Sequence, residues 1–242
     1  MSYTILITGA TSGLGEALTK LIISNTPHTA IAIGRNKKKL NELKSISGKK
    51  LINLTCDLSN QDEVSQISAN IKDICAQSSN TLYLAHCAGI AAPSSFIKIS
   101  KSSLTKTFET NLFGPIRLTQ ELLPIMKNSR IIFISSGLAH FTLPDLGSYS
   151  MSKAALNSLS RTINTEISPY QAISTIITPG IFDSSMQKSL RETDQFNSRE
   201  TFNKFKTDKL LRSASEVADF VKRVFLDTSD NEFKNKCWDI DS

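Results

Sequence analysis

Tyr149 and Lys153 are the residues whose types and spacing first suggest chemistry. Apolar residues recur after them at Leu156, Leu159 and Ile163, a spacing that predicts an amphipathic helix. Residues four apart lie on one face of a helix, so these two side chains should project together. An ammonium group near a phenol favours the phenolate and should lower its pKa towards the range useful in acid–base catalysis. The pair alone is a weak pattern that chance also produces.

Two further polar residues, Ser136 and Asn111, have sequence surroundings that suggest a place near Tyr149 or in the protein interior. Ser136 follows an apolar run, and although it belongs to a separate element it can face the same cleft as Tyr149. Asn111 lies among apolar residues, where a buried amide needs hydrogen-bond partners. It is therefore either a structural residue at a helix kink or a polar group that holds a water molecule.

Length and composition limit the classes of protein. The chain has 242 residues, of which 40% are hydrophobic and 21% charged, typical of one large α/β domain over residues 1–242. The formal charge of +6 comes without a basic block or nucleic-acid motif, so nucleic-acid binding is a competing class that rests on charge alone. The cysteines and histidines show no metal-site spacing, so we expect no metal. Without a signal or an apolar run of about 18 residues, we expect a cytoplasmic protein without membrane association.

Strand and helix patterns alternate along the whole chain. This alternation predicts an α/β fold, a Rossmann-like doubly wound parallel sheet of about seven strands with helices on both faces. A polar, charge-mixed segment at about 182–212 is expected to be a mobile lid with short helices. The predicted strands are 3–8, 30–33, 51–55, 81–85, 130–134, 172–177 and a short one within 237–240, and the main helices are 16–24, 59–76, 102–126, 149–168 and 213–227.

A glycine-rich turn, Gly9-Ala-Thr-Ser-Gly13-Leu-Gly15, joins the first strand to the first helix. Glycines let a diphosphate approach the backbone, and the helix start supplies free N–H groups and a positive dipole end. The spacing differs from the usual G-x-G-x-x-G fingerprint, and the glycines of an ordinary turn remain the alternative. The flanking strand and helix favour nucleotide binding.

Arg35 follows the second strand, where NAD-binding folds usually place an acid for the ribose 2′-hydroxyl. A guanidinium group pairs well with phosphate, which favours NADP(H), although Arg35 can also be a surface residue. Lys37 to Lys39 can add positive charge there or form a solvated helix face. Asp57 follows the third strand and is either a ligand residue or a turn residue.

These motifs together resemble the short-chain dehydrogenase/reductase family, classical type, over essentially the whole chain. The resemblance implies a catalytic set of Asn111, Ser136, Tyr149 and Lys153, with Ser136 and Tyr149 also contacting the substrate carbonyl. The family usually has Asn-Asn where this chain has His86-Cys87, and a thiol cannot make the hydrogen bonds of an amide. The implied cofactor-binding residues are Gly9, Thr11, Ser12, Gly13, Leu14, Gly15, Arg35, Asp57, Leu58, Ala88, Gly89, Tyr149, Lys153, Pro179, Gly180, Ile181 and Ser184.

The segment from Pro179 to Gln187 resembles the sepiapterin reductase and benzil reductase branch. In sepiapterin reductase the residue matching Asp183 anchors the pterin, so Asp183 is either a substrate contact or a loop and cap residue. The resemblance implies NADPH-dependent reduction of a ketone or diketone, with Tyr149 as proton donor, in a homodimer or homotetramer. The alternative is a non-catalytic NADP(H)-binding regulator, which would have no need of Tyr149 and Lys153 together.

Overall fold

A seven-stranded parallel sheet forms the centre of the computed structural model, which describes residues 2–194 and 196–242. Its strand order is β3-β2-β1-β4-β5-β6-β7, and each neighbouring pair is parallel. This arrangement confirms the predicted fold class. The strands are β1 Tyr3–Thr8, β2 Thr29–Gly34, β3 Leu51–Thr55, β4 Thr81–His86, β5 Ser129–Ile134, β6 Ala172–Thr178 and β7 Trp238–Asp239.

Helices cover both faces of the sheet because successive strand residues point to opposite sides. Ile5 and Ile7 of β1 pack in one apolar layer with helices α1, α2 and α9, while Leu6 packs in the other with α3, α5 and α6. The helices are α1 Gly13–Asn25, α2 Lys37–Ser47, α3 Gln61–Ala76, α4 Lys101–Phe108, α5 Gly114–Leu122, α6 Gly147–Glu166, α7 Ser185–Glu192, α8 Arg199–Thr207, α9 Ala214–Asp227 and α10 Asp230–Asn235.

Several predicted helix boundaries were wrong for local reasons. Helix α1 begins at Gly13 rather than 16, so the glycine turn includes the first turn of the helix. Helix α3 is capped by Asn60, which accepts hydrogen bonds from two backbone amides, whereas Ser59 donates its hydroxyl to Asp57 instead. The predicted helix 102–126 consists of α4, a π-helical turn Glu109–Phe113, α5 and a short 3₁₀ turn.

The order of the strands creates a crevice at the carboxyl edge of the sheet. Strands β1 and β4 are neighbours, with Thr8 in register with His86, and the chain proceeds from this pair towards opposite edges. Ligands of open α/β sheets bind at such a switch point. The predicted motifs after β1, β2, β3, β4, β5 and β6 therefore converge on one edge.

The segment predicted as a lid contains α7 and α8 and has an apolar core of its own. Leu190, Phe196 and Phe202 pack with Leu146, which directly precedes α6, and all four side chains are buried. The segment is joined to the preceding loop through a bridge between Phe182 and Arg212. No helix in the described part of the chain has the length and apolarity needed to cross a membrane.

Candidate active site

A cleft of about 480 Å³ lies at the carboxyl edge of the sheet, between the glycine turn and the segment carrying α7 and α8. Most residues predicted from the sequence line this cleft. Three do not: Gly15, Asn111 and Asp183. The predicted residues that line it are Gly9, Thr11, Ser12, Gly13, Leu14, Arg35, Asp57, Leu58, Ala88, Gly89, Ser136, Tyr149, Lys153, Pro179, Gly180, Ile181 and Ser184.

The glycine turn has the geometry of an anion cradle. Gly13, the first residue of α1, has φ +51°, and a β-carbon there would meet only Ser184 and Phe182 at 3.5 Å and beyond. Gly9 has φ +69°, and a β-carbon there would lie 2.8 Å from the Cα of Ala88, so only glycine fits. Ser12 precedes α1 without a side-chain capping bond. The first N–H groups of α1 therefore have no intrahelical acceptor at the cleft.

Arg35 and Asp57 lie at the end of the cleft formed by β2 and β3. An Arg35 guanidinium nitrogen lies 3.8 Å from a carboxylate oxygen of Asp57, and more than half of the Arg35 side chain is exposed. Burial opposes ionisation of Asp57, but hydrogen bonds from Ser59 and the charges of Arg35 and Lys106 hold its pKa below the usual value. Arg35 keeps free donors for an anionic group, because this ion pair is long and open.

Tyr149, Ser136 and Lys153 meet at the centre of the cleft. The Ser136 hydroxyl is close enough to the Tyr149 phenol to act against the rise of its pKa, and Lys153 Nζ lies 5.6 Å from the centroid of the tyrosine ring. Helix α6 presents Tyr149 and Lys153 on one face, as their spacing predicts. Ser136 lies two residues beyond β5, so the strand end and the helix start supply the three groups together.

The pKa values of this pair differ from the sequence-based expectation. Burial raises the pKa of Tyr149 to about 12, and the neighbouring Ser136 hydroxyl offsets only part of that effect. Burial lowers the pKa of Lys153 to about 8. The expectation of a lowered tyrosine pKa is therefore wrong for this structure. The reason is that burial disfavours the charged phenolate by more than the neighbouring Ser136 hydroxyl stabilises it.

Asn111 lies behind the cleft and braces the turn after β4. Its Oδ1 accepts a 2.8 Å hydrogen bond from the Ile90 amide, and its Nδ2 donates to the Ile90 carbonyl and to Ser152. A β-carbon on Gly89 would lie 3.4 Å from Lys153 Nζ and 3.5 Å from Asn111 Oδ1. The π-helical turn that contains Asn111 thus fixes Gly89 and Ile90 beside Lys153.

The sequence matches the family model described as short chain dehydrogenase over residues 3–195, which is most of the chain. It belongs to the short-chain dehydrogenase family. Members of this family bind a nicotinamide cofactor. The match and the geometry of Ser136, Tyr149 and Lys153 agree with the family predicted from the motifs.

Curated relatives of this short-chain dehydrogenase include two benzil reductases that form (S)-benzoin. One, from Bacillus cereus, is 29% identical over 91% of this chain and 92% of its own length. The other, from Saccharomyces cerevisiae, is 29% identical over 80% of this chain and 76% of its own length. A Xenopus laevis protein named dehydrogenase/reductase SDR family member 7B is 30% identical over 75% of this chain, and the match spans only 59% of that longer protein. These relatives support the predicted benzil-reductase-like branch.

Solved structures share the fold. An uncharacterised short-chain dehydrogenase/reductase of Saccharomyces cerevisiae superposes with a TM-score of 0.89 at 22% identity, covering 99% of this chain and 96% of that one. A variant of actinorhodin polyketide ketoreductase, solved with NADPH, superposes with a TM-score of 0.82 at 20% identity, covering 99% and 95%.

The two residues of the His86-Cys87 pair have different surroundings: His86 is buried, whereas Cys87 is partly buried and lines the cleft. His86 stacks on Phe133 and its Nε2 lies 3.0 Å from the Thr119 hydroxyl, while burial lowers its pKa to about 3. Burial raises the pKa of Cys87 to about 12, against the opposing charge of Lys153. The Ala88 amide after this pair donates a 3.2 Å hydrogen bond to the Thr8 hydroxyl, which ties the turn after β4 to the end of β1.

Asp183 faces away from the cleft. Its side chain is 66% exposed and lies 3.6 Å from the buried guanidinium of Arg191 in α7, while its amide bonds the Arg212 carbonyl. The contacts of Asp183 fit the loop-fixing alternative that the sequence left open, and its side chain does not line the cleft. Gly15 likewise lies beneath the turn, packed against the carbonyl of Gly9.

Sequence reasoning missed most residues of the apolar half of the cleft. These residues are apolar and come from loops and from α7 and α8: Leu138, Phe141, Leu143, Leu146, Met186, Leu190, Phe202 and Phe205. The scattered phenylalanines of 196–205 were the one available signal. Asp239 and Asp241 also line the cleft, and Asp241 pairs with Arg212 at 2.5 Å. The described residues contain no group of three or more metal-ligating side chains.

Proposed function

We propose that this short-chain dehydrogenase is an NADPH-dependent reductase of a ketone or diketone carbonyl. The observation that carries the proposal is that Ser136, Tyr149 and Lys153 line one cleft, which continues to the glycine turn, with Lys153 Nζ 5.6 Å from the tyrosine ring. A carbonyl oxygen placed against the two hydroxyls would receive two hydrogen bonds. Those bonds strengthen as negative charge develops on that oxygen.

The residues of the cleft fit a dinucleotide. The first amides of α1 would hold the diphosphate, because they lack acceptors and a glycine opens the approach. Arg35 would hold a 2′-phosphate, since no acidic residue takes the place after β2. The segment from Pro179 to Ser184 would flank the nicotinamide, which supplies a hydride when bound. The ketoreductase of the same fold that was solved with NADPH supports this choice of cofactor.

Tyr149 is the proton donor in this proposal. Its raised pKa keeps the phenol protonated at neutral pH, so a proton is available for the carbonyl oxygen as it becomes an alkoxide. Lys153, with a pKa of about 8, is mostly an ammonium at pH 7. It would stabilise the phenolate that Tyr149 becomes once the proton has left. Asn111 would act through its hold on Gly89 and Ile90.

A panel of carbonyl compounds tests this proposal directly. The measurement is consumption of NADPH, and separately of NADH, with an aromatic diketone, a pterin diketone and simple aldehydes. NADPH-specific turnover of a diketone is expected, because the relatives include benzil reductases. Tight NADPH binding without turnover of any compound would instead favour the non-catalytic regulator.

A further inference from the structure

The substrate half of the cleft has an apolar boundary without charged side chains. We define the substrate wall as Leu138, Phe141, Leu143, Leu146, Met186, Leu190, Phe202 and Phe205. Helices α7 and α8 also line the cleft with Ser185, Gln187 and Thr201, which are polar but uncharged. The charged residues that line it, among those the structure describes, are Arg35, Asp57, Lys153, Asp239 and Asp241, and none of them comes from α7, α8 or the loop before α6. An ionised substrate group placed there would lose its hydration without gaining a partner.

The wall has two sides that come from different parts of the chain. Leu143 and Leu146 belong to the loop before α6, whereas Phe202 and Phe205 belong to α8. Phe202 packs against Phe205 and Phe196 with ring centroids 5.6 and 5.4 Å apart. Such a wall keeps its shape only if the loop and α8 are held together.

Asp145 makes that connection from outside the cleft. Its carboxylate accepts a 2.7 Å hydrogen bond from the Asn197 amide and a 3.1 Å bond from the Asn197 side chain. The neighbouring Pro144 carbonyl accepts a 2.9 Å bond from Ser198, and the Asp145 carbonyl accepts a 2.8 Å bond from the Ser94 amide. The loop after β4, the loop before α6 and the start of α8 therefore meet at Asp145.

The backbone of Asp145 also narrows the residue types that can stand there. It has φ +69° and is 9% exposed. Among residues with a side chain, Asn and Asp adopt this left-handed region most easily. A buried acceptor at a left-handed position, aimed at the start of α8, acts as a rigid anchor of the wall.

We infer that the substrate is an uncharged, largely apolar ketone that packs on the substrate wall, with Asp145 as the positioning residue that fixes this wall. The inference rests on the proposed function. Asp145 does not touch the substrate. It acts through Leu143 and Leu146 on one side and through Asn197 and α8 on the other.

The test compares three carbonyl compounds with NADPH. Benzil and 2,3-butanedione share the diketone group and differ in apolar size, while benzoylformate carries an aryl ketone beside a carboxylate. The wild-type chain should prefer benzil to benzoylformate by about a hundredfold or more in kcat/KM, since the carboxylate would be desolvated unpaired. Equal kcat/KM values for the two aryl compounds would overturn the inference about the substrate.

Asp145→Gly and Asp145→Asn test the positioning role. Glycine and asparagine both tolerate a positive φ, so neither substitution adds backbone strain at position 145. Asp145→Gly should lower the benzil-to-butanedione ratio of kcat/KM by about tenfold, mainly through KM, because the bonds to Asn197 are lost. Asp145→Asn, which keeps one acceptor, should fall between wild type and Asp145→Gly. If Asp145 has a purely structural role, its loss should lower kcat/KM equally for both diketones. An unchanged benzil-to-butanedione ratio would therefore refute the positioning role.

Failure of the proposed function gives a different result. In that case wild type reduces none of the three compounds, and the readout becomes benzil binding to the NADPH-saturated protein by calorimetry. The inference then expects binding that Asp145→Gly weakens and that benzoylformate does not reproduce. No benzil binding, or equal binding by wild type and Asp145→Gly, would refute it.

Discussion

The Nζ of Lys153 donates a 2.7 Å hydrogen bond to the carbonyl oxygen of Ile134. Ile134 is the last residue of β5, and Ser136 follows two residues later, while Tyr149 lies one turn before Lys153 on α6. This single bond therefore ties α6, which carries Tyr149 and Lys153, to the strand that precedes Ser136. It also holds an ammonium group at a site where burial lowers its pKa to about 8.

Lys153 should give the protein a specific dependence of stability on pH. An unfolded lysine keeps its proton to about pH 10.4, whereas Lys153 in the folded state loses it near pH 8. The unfolded state binds more protons between these values, so the free energy of unfolding should rise with pH by up to about 1.4 kcal/mol per unit. Above pH 10 the raised pKa of Tyr149 acts in the opposite direction.

Urea unfolding of wild type and Lys153→Met between pH 8 and 10 measures this contribution. The variant should lack the rise, and Lys38→Met, which removes an exposed lysine, should keep it. The same slope in wild type and Lys153→Met would show that burial of the ammonium is not responsible.

Tyr149→Phe should abolish most carbonyl reduction while leaving NADPH binding within about twofold of wild type. Loss of the proton donor should cost about 10²- to 10⁴-fold in kcat, and the phenyl ring keeps the packing of α6. Steady-state turnover measures the loss of carbonyl reduction, and fluorescence titration with NADPH measures whether cofactor binding is kept. Tyr170→Phe removes a hydroxyl from an exposed tyrosine outside the cleft and is the control. Turnover by Tyr149→Phe at more than about a tenth of the wild-type rate would remove Tyr149 from the donor role.

Arg35→Glu should weaken the binding of NADPH much more than the binding of NADH. Replacing a charge-assisted bond to the 2′-phosphate by a repulsive carboxylate should cost NADPH about ten- to a hundredfold in Kd. Titration of both cofactors measures the ratio, and Lys38→Glu places the same charge change on the neighbouring exposed face of α2. If both cofactors weaken equally, Arg35 does not recognise the 2′-phosphate.

His86 should make the protein sensitive to acid. Burial lowers its pKa to about 3, whereas an unfolded histidine takes up a proton near pH 6.5. Below pH 6.5 the unfolded state therefore binds more protons, and the free energy of unfolding should fall by up to about 1.4 kcal/mol per pH unit. His86→Gln, which keeps an acceptor for Thr119, should flatten this fall. The measurement is the urea midpoint of unfolding at pH 7.0, 6.0 and 5.0 for wild type and His86→Gln. The control is His140→Gln, which removes an exposed histidine and should keep the fall.

The sequence by itself determined the features that depend on local patterns. Strand and helix periodicities predicted a parallel sheet with helices on both faces, because side chains alternate in strands and repeat every few residues in helices. The sequence also showed the glycines around the start of α1, the i,i+4 pair of Tyr149 and Lys153, and the serine after β5. Strand ends in a parallel sheet share one edge, so their convergence followed from the fold class. Arg35 followed from the same rule, since it comes after β2.

Only the tertiary structure decided what depends on neighbours distant in sequence. The raised pKa of Tyr149 reflects how many atoms exclude water from it, which no spacing records. Pattern alone left Asp183 open between a substrate contact and a loop residue, because its partner Arg191 becomes a neighbour only when α7 folds back. The meeting of Asp145 with Asn197 joins residues far apart in the chain. Such contacts arise from packing of loops, where periodicity carries no information.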